Sequence, residues 1–375
     1  MILHIVRNPV SYDSRVLKET GSILDRYPEE TLIVAGFHEG GFAQSELIGR
    51  RHIKRHQLYT RGMPKDVVSQ SVKFLEWRAS LIRSYCQLPL KVIHCHDLAP
   101  LPVAVRLKNI TGAKLIYDAH ELETEMKGLS GIRKRLLKSL ERRYIRYVDQ
   151  MITVSPSIRK WYAHRYPSLS ISIVRNIPEK SSSPAGLAKL RNSLGVPDDS
   201  LLFLYLGGLS EGRGIRTILE GFSNKNVTHH VLFMGSGPLL DLVNEYSANC
   251  NRVHYREPVP PSEVITYANG ADIGLCMYED TCLNHRYCLP NKLFESILAG
   301  MPVLASDLPD QADVVRQHKA GWVISPSVLE LTNFLLQIDT AAVRDLRIGL
   351  SERTSNLSWG SEADVLLQLY SGLLR

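Results

Sequence analysis

Histidines and carboxylates follow two apolar stretches in the first half of the chain, where they could orient a ligand or exchange protons with it. The stretch KVIHCHD ends in His96 and Asp97, and YDAHE ends in His120 and Glu121. Such groups are the usual general acids and bases of enzymes. Metal binding is conceivable, although the ligands come from two separate segments and form no compact set. We predict a functional role for His120 and an ordinary half-buried strand position for His94.

Glycine-rich turns in the second half could approach a phosphate. GGLSEGRG covers Gly207–Gly214 and GSGP covers Gly235–Pro238, each between a predicted strand and a predicted helix. Backbone N–H groups and a helix N-terminus bind phosphate at such turns, and Arg213 would add a cation. Neither segment matches a Walker loop or fits the GxGxxG fingerprint well. We predict phosphate binding at GGLSEGRG, whereas GSGP reads more simply as a tight turn that needs glycine.

A third candidate is the glutamate in PNKLFESILAGMPVLASD. The apolar residues of this segment form one helical stripe, and Glu295 lies off that stripe in the predicted first turn. A glutamate there could simply complement the helix dipole. The helix follows the predicted strand ADIGLCMY and a loop, so its N-terminus is expected to face a ligand. This position favours a ligand contact over the dipole explanation, because a carboxylate there can accept two hydrogen bonds from vicinal sugar hydroxyls.

The elements that must position these residues alternate between strands and helices. Apolar strand-like runs separated by amphipathic stretches predict parallel sheets that are covered on both faces. The alternation breaks at residues 178–200, which are rich in serine and proline, and then restarts. We predict an α/β protein with two Rossmann-like doubly wound domains, 1–178 and 179–355, that face each other across a cleft. Residues 356–375 are expected to form a helix that packs back on the first domain.

Composition limits the class of protein. The chain has 375 residues, of which 44% are hydrophobic and 22% charged, as in globular proteins. No apolar run is long enough to span a membrane, and the N-terminus lacks the pattern of a signal peptide. The six cysteines form no CxxC pair, and the spacing of Cys276, Cys282 and Cys288 is weak support for zinc. We expect a cytoplasmic protein.

Charge is unevenly distributed along the chain. Residues 1–180 carry about +13 and residues 181–375 about −6, which sum to the net charge of +7. Two basic segments dominate, Arg50–His56 and Arg133–Tyr147. The second has the apolar spacing of an interfacial helix, although an amphipathic helix with a solvated basic face would look the same. We predict an anionic membrane surface as partner and no nucleic acid, because no recognition module is present.

The ordered motifs of the chain resemble those of glycosyltransferase family 4. The matching segments, in order, are YDAHE, ITVSPSIRKWY, IVRNIPE, LYLGGLSEGRGIRTILEGF, LFMGSGP, YANGADIGL and PNKLFESILAGMPVLASD. The resemblance covers nearly the whole chain. It implies the two-domain B-type glycosyltransferase (GT-B) fold and transfer, with retention, of a sugar from a UDP- or GDP-linked donor. Family members generally need no metal, so none is expected.

The same resemblance assigns individual roles. Glu295 is similar to the second of two family glutamates and would bind the ribose hydroxyls, whereas the first would fall at Tyr287 and is absent. The family's phosphate-binding arginine and lysine fall at Gly208 and Arg213, so one cation is lost and the other is a guanidinium, which still binds a diphosphate. Lys292 could help.

Further assignments complete the prediction. His120 resembles the family's catalytic-site histidine, and Arg213 and Glu295 are the other two catalytic candidates. Predicted donor contacts are Gly207, Gly208, Arg213, Gly235, Tyr255, Arg256, Glu257, Asn291, Lys292, Leu293 and Glu295. Predicted acceptor or cleft residues are Asp13, Arg15, His96, Asp97, Glu121, Asn284, Arg286 and Tyr287.

The sequence therefore predicts a retaining glycosyltransferase at the inner membrane face. It would add a sugar to a lipid-linked glycan in surface polysaccharide biosynthesis. Two alternatives stay open. One is a nucleotide-sugar epimerase or hydrolase of the same fold. The other is a non-catalytic donor-binding subunit, which the residues at positions 208 and 287 make conceivable.

Overall fold

The computed structural model describes residues 1–64, 66–179, 187–260 and 263–374. The chain divides into two compact units. The N-terminal unit comprises Met1–Arg175 and the final segment Glu362–Arg375, and the C-terminal unit comprises Asn176–Ser361. The unit boundaries thus lie at 175/176 and 361/362, compared with 178/179 and 355/356 in the sequence-based division.

The N-terminal unit is built on an eight-stranded sheet. Its strands are β1 (Ile2–Ile5), β2 (Leu32–Phe37), β3 (Ser45–Ile48), β4 (Arg51–His56), β5 (Val92–His96), β6 (Lys114–Ala119), β7 (Gln150–Thr153) and β8 (Ile171–Ile173). Its helices are α1 (Ser14–Arg26), α2 (Val67–Tyr85), α3 (Leu101–Thr111), α4 (Gly131–Ile145) and α5 (Pro156–Arg165). The strand order is β3-β4-β2-β1-β5-β6-β7-β8, so the order reverses between β1 and β5.

Register brings distant polar residues together in this sheet. In the parallel pairing of β1 with β5, His4 lies beside His94. In the pairing of β5 with β6, His96 lies beside Asp118. Because side chains two residues apart on a strand point to the same face, His94 and His96 share a face with these partners. A polar cluster therefore forms at the β1/β5 reversal, which is where doubly wound sheets bind ligands.

The segment Arg50–His56 differs from the prediction. It contains β4, which pairs in parallel with β2 and antiparallel with β3, so the sheet is not purely parallel. The Arg55 side chain is buried, and its Nε and Nη1 atoms donate to backbone carbonyls at 2.7 Å. Arg51 Nε donates to Thr20 Oγ1 at 2.7 Å. These two guanidinium groups stabilise the hairpin, whereas Arg50, His52 and Lys54 are exposed. Only part of the segment is therefore available as the basic surface that was expected.

The C-terminal unit is built on a six-stranded parallel sheet. Its strands are β9 (Leu202–Leu206), β10 (His230–Met234), β11 (Val253–Arg256), β12 (Ile273–Cys276), β13 (Val303–Ser306) and β14 (Gly321–Ile324). The helices that follow α5 are α6 (Leu187–Leu194), α7 (Ile215–Phe222), α8 (Leu240–Asn249), α9 (Val264–Ala268), α10 (Leu283–Arg286), α11 (Asn291–Leu298), α12 (Pro309–Gln317), α13 (Val328–Gln337), α14 (Thr340–Arg347), α15 (Leu350–Arg353) and α16 (Trp359–Leu373).

The strand order β11-β10-β9-β12-β13-β14 is that of a Rossmann sheet. It reverses between β9 and β12, so this unit's expected ligand position lies beyond the carboxyl ends of those two strands. Both strands are buried along their whole length, as the continuous apolar runs LFLYL and IGLC predict. Within the described part of the chain, no helix has the length and apolar character needed to cross a membrane.

Candidate active site

A buried lysine lies at the β9/β12 reversal of the C-terminal unit. Lys292 is the second residue of α11 and is 6% exposed. Its Nζ atom lies 3.5 Å from the centroid of the Tyr205 ring and 5.4 Å from that of Tyr278. No described residue accepts a hydrogen bond from this ammonium. The aromatic faces stabilise the charge only in part, so Lys292 is a cation ready to receive an anion.

Electrostatics agree with this description. Burial lowers the pKa of Lys292 to about 7, and the nearby charge of Arg213 acts in the same direction. An anionic ligand would oppose both effects, because an opposite charge within a few ångströms favours the ammonium form. Perturbed lysines of this kind are concentrated at functional sites.

Arg213 belongs to the glycine-rich turn between β9 and α7. Its Cζ atom lies 5.6 Å from the Tyr278 ring centroid. A Cβ atom added to Gly208 would lie 3.2 Å from Arg213 Nη1. A larger residue at position 208 would therefore crowd the guanidinium, which occupies the space beside this glycine. The structure thus places Arg213 and Lys292 against the same tyrosine ring.

The other glycines in these turns are explained by close packing. A Cβ atom on Gly235 would come within 1.8 Å of the Gly207 carbonyl oxygen, and one on Gly237 within 2.4 Å of the Leu209 carbonyl oxygen. Backbone hydrogen bonds join the two turns, including Leu209 N–H to the Ser236 carbonyl at 2.9 Å. This packing supports the interpretation of GSGP as a tight turn.

Glu295 is the fifth residue of α11, not part of its first turn as the sequence suggested. The helix-dipole explanation is therefore weaker, because that effect falls off beyond the first turn. Glu295 is half-buried and lies three residues after Lys292, hence on the same side of the helix. Its charge helps to keep the Lys292 ammonium protonated.

The remaining predicted donor residues occupy different environments. Tyr255 and Arg256 lie within β11 and not in a turn; the Tyr255 hydroxyl donates to the Gly235 carbonyl at 3.2 Å, and Arg256 donates to Ser193 Oγ at 2.8 Å. Glu257 and Asn291 are exposed. Leu293 is a core residue whose N–H donates to the Pro290 carbonyl at 3.1 Å, so neither its side chain nor its N–H is open to a ligand.

The segment that holds the predicted cleft residues Asn284, Arg286 and Tyr287 forms the short helix α10 and its C-terminal end. Asn284 is buried, Arg286 is half-exposed with Nε 3.5 Å from Asp280 Oδ2, and Tyr287 ends the helix. A Cβ atom on Gly212 would lie 2.4 Å from the His285 ring. The helix α10 therefore packs directly against the turn that carries Arg213.

The polar cluster of the N-terminal unit centres on an ion pair. Arg15 is 3% exposed and donates to both carboxylate oxygens of Asp118, each at 2.9 Å. Its Nη1 atom also donates to the Val174 carbonyl at 2.8 Å, and its Nε atom lies 3.0 Å from Glu19 Oε1. Arg15 holds the pKa of Asp118 well below its usual range despite burial.

His120 lies at the accessible end of this cluster. Its side chain is 21% exposed, with Nε2 3.1 Å from Asp118 Oδ2 and Nδ1 3.5 Å from Asp97 Oδ2. Burial disfavours the charged ring, but Asp97 and Asp118 outweigh it and raise the pKa of His120 to about 10. His120 is therefore an imidazolium cation at neutral pH. Glu121, the next residue, is half-buried.

The structure corrects three predicted acceptor contacts in this unit. Arg15 and His96 are buried, so neither presents its side chain to an acceptor. Asp13 caps α1, where its carboxylate accepts from Val16 N–H at 3.1 Å and from Asn8 Nδ2 at 2.7 Å. Each residue has a structural role, whereas Asp97 retains a side chain that is 33% exposed.

Among the described residues, two sets of side chains have atoms close enough to hold a metal ion. They are His4, Glu19, His94 and His96, and His96, Asp118 and His120. Most of their ring nitrogens already hydrogen-bond one another or Tyr370. Arg15 also supplies a positive charge to both carboxylates. Hydrogen bonds and this ion pair therefore account for most of the cluster's polar groups.

Sequence reasoning missed His4, Glu19 and Tyr370. His4 lies in an apolar strand and Glu19 in an amphipathic helix, so both resemble ordinary members of these elements. A polar residue inside the run MILHIV was the only available signal. Tyr370 lies 366 residues from its partner His4, and no local pattern indicates such a pairing.

The two units, each built on a doubly wound α/β sheet, have the architecture of GT-B glycosyltransferases. The family model for Glycosyltransferase Family 4 matches residues 29–177, and that for Glycosyl transferases group 1 matches residues 200–338. Together the matches cover more than half of the chain. The protein belongs to this glycosyltransferase family.

Individual relatives are distant in sequence. A putative teichuronic acid biosynthesis glycosyltransferase of Bacillus subtilis is 24% identical over 56% of this chain and 54% of its own length. The chain spans about half to two thirds of the length of the curated relatives it matches.

Two solved structures share the fold over nearly their whole length. Sucrose-phosphate synthase from Thermosynechococcus elongatus has a TM-score of 0.82 at 17% identity, with 99% of this chain and 98% of that chain covered. HepE of Anabaena, solved in complex with UDP and glucose, has a TM-score of 0.75 at 15% identity, with 99% of each chain covered. At these identities the likeness establishes the fold alone.

Proposed function

We propose that this protein transfers a sugar from a nucleoside-diphosphate sugar to an acceptor hydroxyl with retention of configuration. The observation that carries the proposal is the buried Lys292 ammonium, which has no hydrogen-bond acceptor among the described residues and lies beside Arg213. Two cations at the switch point of a Rossmann sheet suit a diphosphate. Glu295, on the same helix, would accept hydrogen bonds from the ribose hydroxyls.

The reaction would proceed by stabilising the leaving group. The acceptor oxygen bonds to the anomeric carbon, the bond from that carbon to the diphosphate oxygen breaks, and the hydroxyl proton leaves with the diphosphate. Lys292 and Arg213 stabilise the charge that develops on the diphosphate. His120 takes the role of the family histidine and orients the transferred sugar. We assign no covalent nucleophile and no metal.

A thermal-shift series with UDP, GDP and their sugar conjugates tests the donor site. A nucleotide at 100 times its dissociation constant should raise the free energy of unfolding by about 2.7 kcal/mol. We expect a shift with UDP or GDP and none with free ribose. If no nucleoside diphosphate stabilises the protein, the donor-site proposal is wrong. Consumption of the sugar conjugate without an acceptor would indicate an epimerase or hydrolase, and binding without turnover a non-catalytic subunit.

We further propose that the acceptor is a lipid-linked glycan, reached by docking at the inner membrane face. The support lies in α4, where Ile132 is 74% and Leu136 63% exposed, one turn apart. Arg133 and Arg135 beside them are also exposed. An apolar ridge flanked by arginines suits an anionic lipid surface. The teichuronic acid enzyme named above is consistent with a surface polysaccharide as product.

Vesicle co-sedimentation tests this surface. We expect the protein to bind phosphatidylglycerol vesicles at low salt and to be released as salt rises, because the arginine contribution is screened. Replacing Ile132 and Leu136 with serine should weaken binding about tenfold or more. The matched control replaces Leu329 and Leu336, which are 68% and 49% exposed on α13, and should change nothing. Equal binding by all three proteins would contradict a docking role for α4.

A further inference from the structure

A continuous chain of hydrogen bonds runs from His120 into the N-terminal unit. His120 Nε2 lies 3.2 Å from His96 Nδ1, and His96 Nε2 lies 2.9 Å from His4 Nδ1. His4 Nε2 lies 3.1 Å from the Tyr370 hydroxyl, which lies 2.9 Å from His94 Nδ1. His4, His94, His96 and Tyr370 are fully buried. His4 and His96 thus use both of their ring nitrogens in the hydrogen-bond chain.

The carboxylates at both ends fix the direction of donation. A neutral imidazole donates from one nitrogen and accepts at the other. If His120 donates inward, then His96 and His4 each donate from Nε2, and the Tyr370 hydroxyl donates to His94 Nδ1. The His94 Nε2 proton then faces Glu19 Oε2 at 3.7 Å and Asp118 Oδ2 at 3.6 Å.

The reverse direction is unfavourable. It would leave His94 Nε2 as a bare acceptor facing these two carboxylates, and His120 Nε2 as a bare acceptor 3.1 Å from Asp118 Oδ2. Lone pairs would face negative charge at both ends, in an interior that screens it poorly. Inward donation from His120 therefore puts protons, and not lone pairs, at the two terminal nitrogens that face these carboxylates. The one ring nitrogen of the hydrogen-bond chain that still turns a lone pair toward a carboxylate is His96 Nδ1, 3.4 Å from Asp118 Oδ2.

The positive charge of the hydrogen-bond chain lies at its outer end, on His120. Burial lowers the pKa of His94 to about 3 and that of His4 well below its usual range, so these two rings are neutral. The charged groups around the cluster are Arg15 and Glu19 from α1, Asp118 from β6, Asp97 after β5 and Glu123 beyond β6. His120, which faces Asp97 and Asp118, is where a proton is held.

We propose that Tyr370, His4 and His96 are positioning residues that hold the His120 ring with its Nε2–H directed inward and its Nδ1–H directed outward. The outward nitrogen, Nδ1, lies near the partly exposed Asp97. Because both ring nitrogens then carry a proton, His120 would meet a ligand only as a hydrogen-bond donor. Its partner would be an oxygen of the transferred sugar, and it would not act as a general base. This inference rests on the proposed transferase function for its ligand, but not for the hydrogen-bond chain itself.

The hydrogen-bond chain depends on the C-terminal helix α16, because this helix carries Tyr370. Glu362, near the start of α16, accepts from Arg175 N–H at 2.6 Å and from Arg175 Nε at 2.8 Å. Tyr370 lies two turns further along the same helix. Its hydroxyl is the junction between His4 and His94, so a Tyr370→Phe change removes that link and keeps the ring.

Nitrogen-15 spectra of the wild-type histidines test the chain without any activity. At about pH 7 to 8 the direction of donation predicts that His4, His94 and His96 carry a proton on Nε2 alone and that His120 carries one on each nitrogen. Replacing one histidine at a time assigns the signals. A different tautomer at His4 or His96, or a neutral His120 at pH 7, would overturn the proposal. Stoichiometric zinc in the purified protein, with loss of these signals on chelation, would overturn it in favour of a metal site.

Tyr370→Phe tests the consequence for turnover. We expect kcat to fall about tenfold, the value of one buried hydrogen bond, with the alkaline limb of the kcat profile moved to lower pH. The affinity for the nucleoside diphosphate should not change. Tyr162→Phe is the matched control, because it removes a buried hydroxyl that donates to Glu141 at 2.6 Å in the same unit.

The outcomes separate this inference from the proposed function. An unchanged pH profile in Tyr370→Phe, or equal losses in both variants, would contradict a positioning role. Failure of the wild type to bind any nucleoside diphosphate would instead contradict the donor site. In that case, or if Tyr370→Phe does not fold, the wild-type nitrogen-15 spectra still decide whether the hydrogen-bond chain exists.

Discussion

Replacing Glu295 with glutamine is expected to weaken binding of the nucleoside diphosphate by about tenfold to a hundredfold. A hydrogen bond to a charged group contributes about 1.5–3 kcal/mol, and the change turns one carboxylate oxygen into an amide donor. The ribose hydroxyls would lose a charged acceptor, while the half-buried side chain keeps its size and place on α11. Isothermal titration with UDP and GDP measures the change directly.

The same experiment needs a control for removing one negative charge from the C-terminal unit. Glu220 lies on α7 and is exposed. Glu220→Gln should therefore bind as the wild type does. A second comparison uses inorganic diphosphate, which has no ribose, so its change in affinity reports only the effect of the Glu295 charge on the phosphate site. The additional loss for UDP or GDP measures the ribose contact. Wild-type affinity for UDP or GDP in Glu295→Gln would refute the assignment of the ribose contact.

Replacing Lys292 with methionine should separate binding from stability. Loss of a buried cation opposite a phosphate is expected to cost about 2 kcal/mol or more in affinity, roughly thirtyfold. The free energy of unfolding should stay the same or rise. The buried Lys292 ammonium has no hydrogen-bond acceptor among the described residues, and the change replaces it with an apolar side chain of similar length. Titration and thermal unfolding of the same variant give both values.

Lys292 also predicts how affinity depends on pH. Its pKa in the free protein is about 7, and only the ammonium form attracts the diphosphate. As pH rises above 7, a growing share of the protein must take up a proton in order to bind, so the affinity falls, with a limiting slope of about tenfold per pH unit. Above pH 7 the phosphates are already ionised and add little to this slope.

Arg213→Met is the matched control for this slope. It should also lose affinity, but it retains Lys292 and therefore a pH-dependent affinity, whereas Lys292→Met should lose the dependence. The guanidinium stays charged throughout this range, so only the lysine titrates. Tight, pH-independent binding by the wild type, or undiminished binding by Lys292→Met, would contradict the role given to this ammonium.

Local sequence was a good guide to the elements of this fold. Strands such as LFLYL and IGLC were predicted because continuous apolar runs of this length are typical of buried parallel strands. The β3–β4 hairpin was not predicted, because RRHIKRH has alternating character but is dominated by arginines. The Arg55 guanidinium donates to the backbone carbonyls of Pro9 and Ala43. Local periodicity does not encode these distant contacts.

The candidate site was predicted unevenly for a similar reason. Arg213 was named because a cation in a glycine turn suggests phosphate, and Lys292 was added through the family resemblance as a possible second cation. Their shared contact with Tyr278 was not foreseen, since it depends on the adjacency of β9 and β12. Arg15 was expected among the acceptor or cleft residues, but α1 directs it inward to Asp118.

The sequence by itself determined the class of this protein, namely two doubly wound α/β domains with the ordered motifs of a glycosyltransferase family. It could do so because strand and helix periods, turn glycines and motif order are all properties of neighbouring residues. Only the tertiary structure decided which residues share a site. The link from Tyr370 to His4 spans 366 positions and exists because the sheet reverses at β1/β5 and the last helix returns to that unit. Hydrogen-bond chains of this kind depend on strand order and register, which no local pattern specifies.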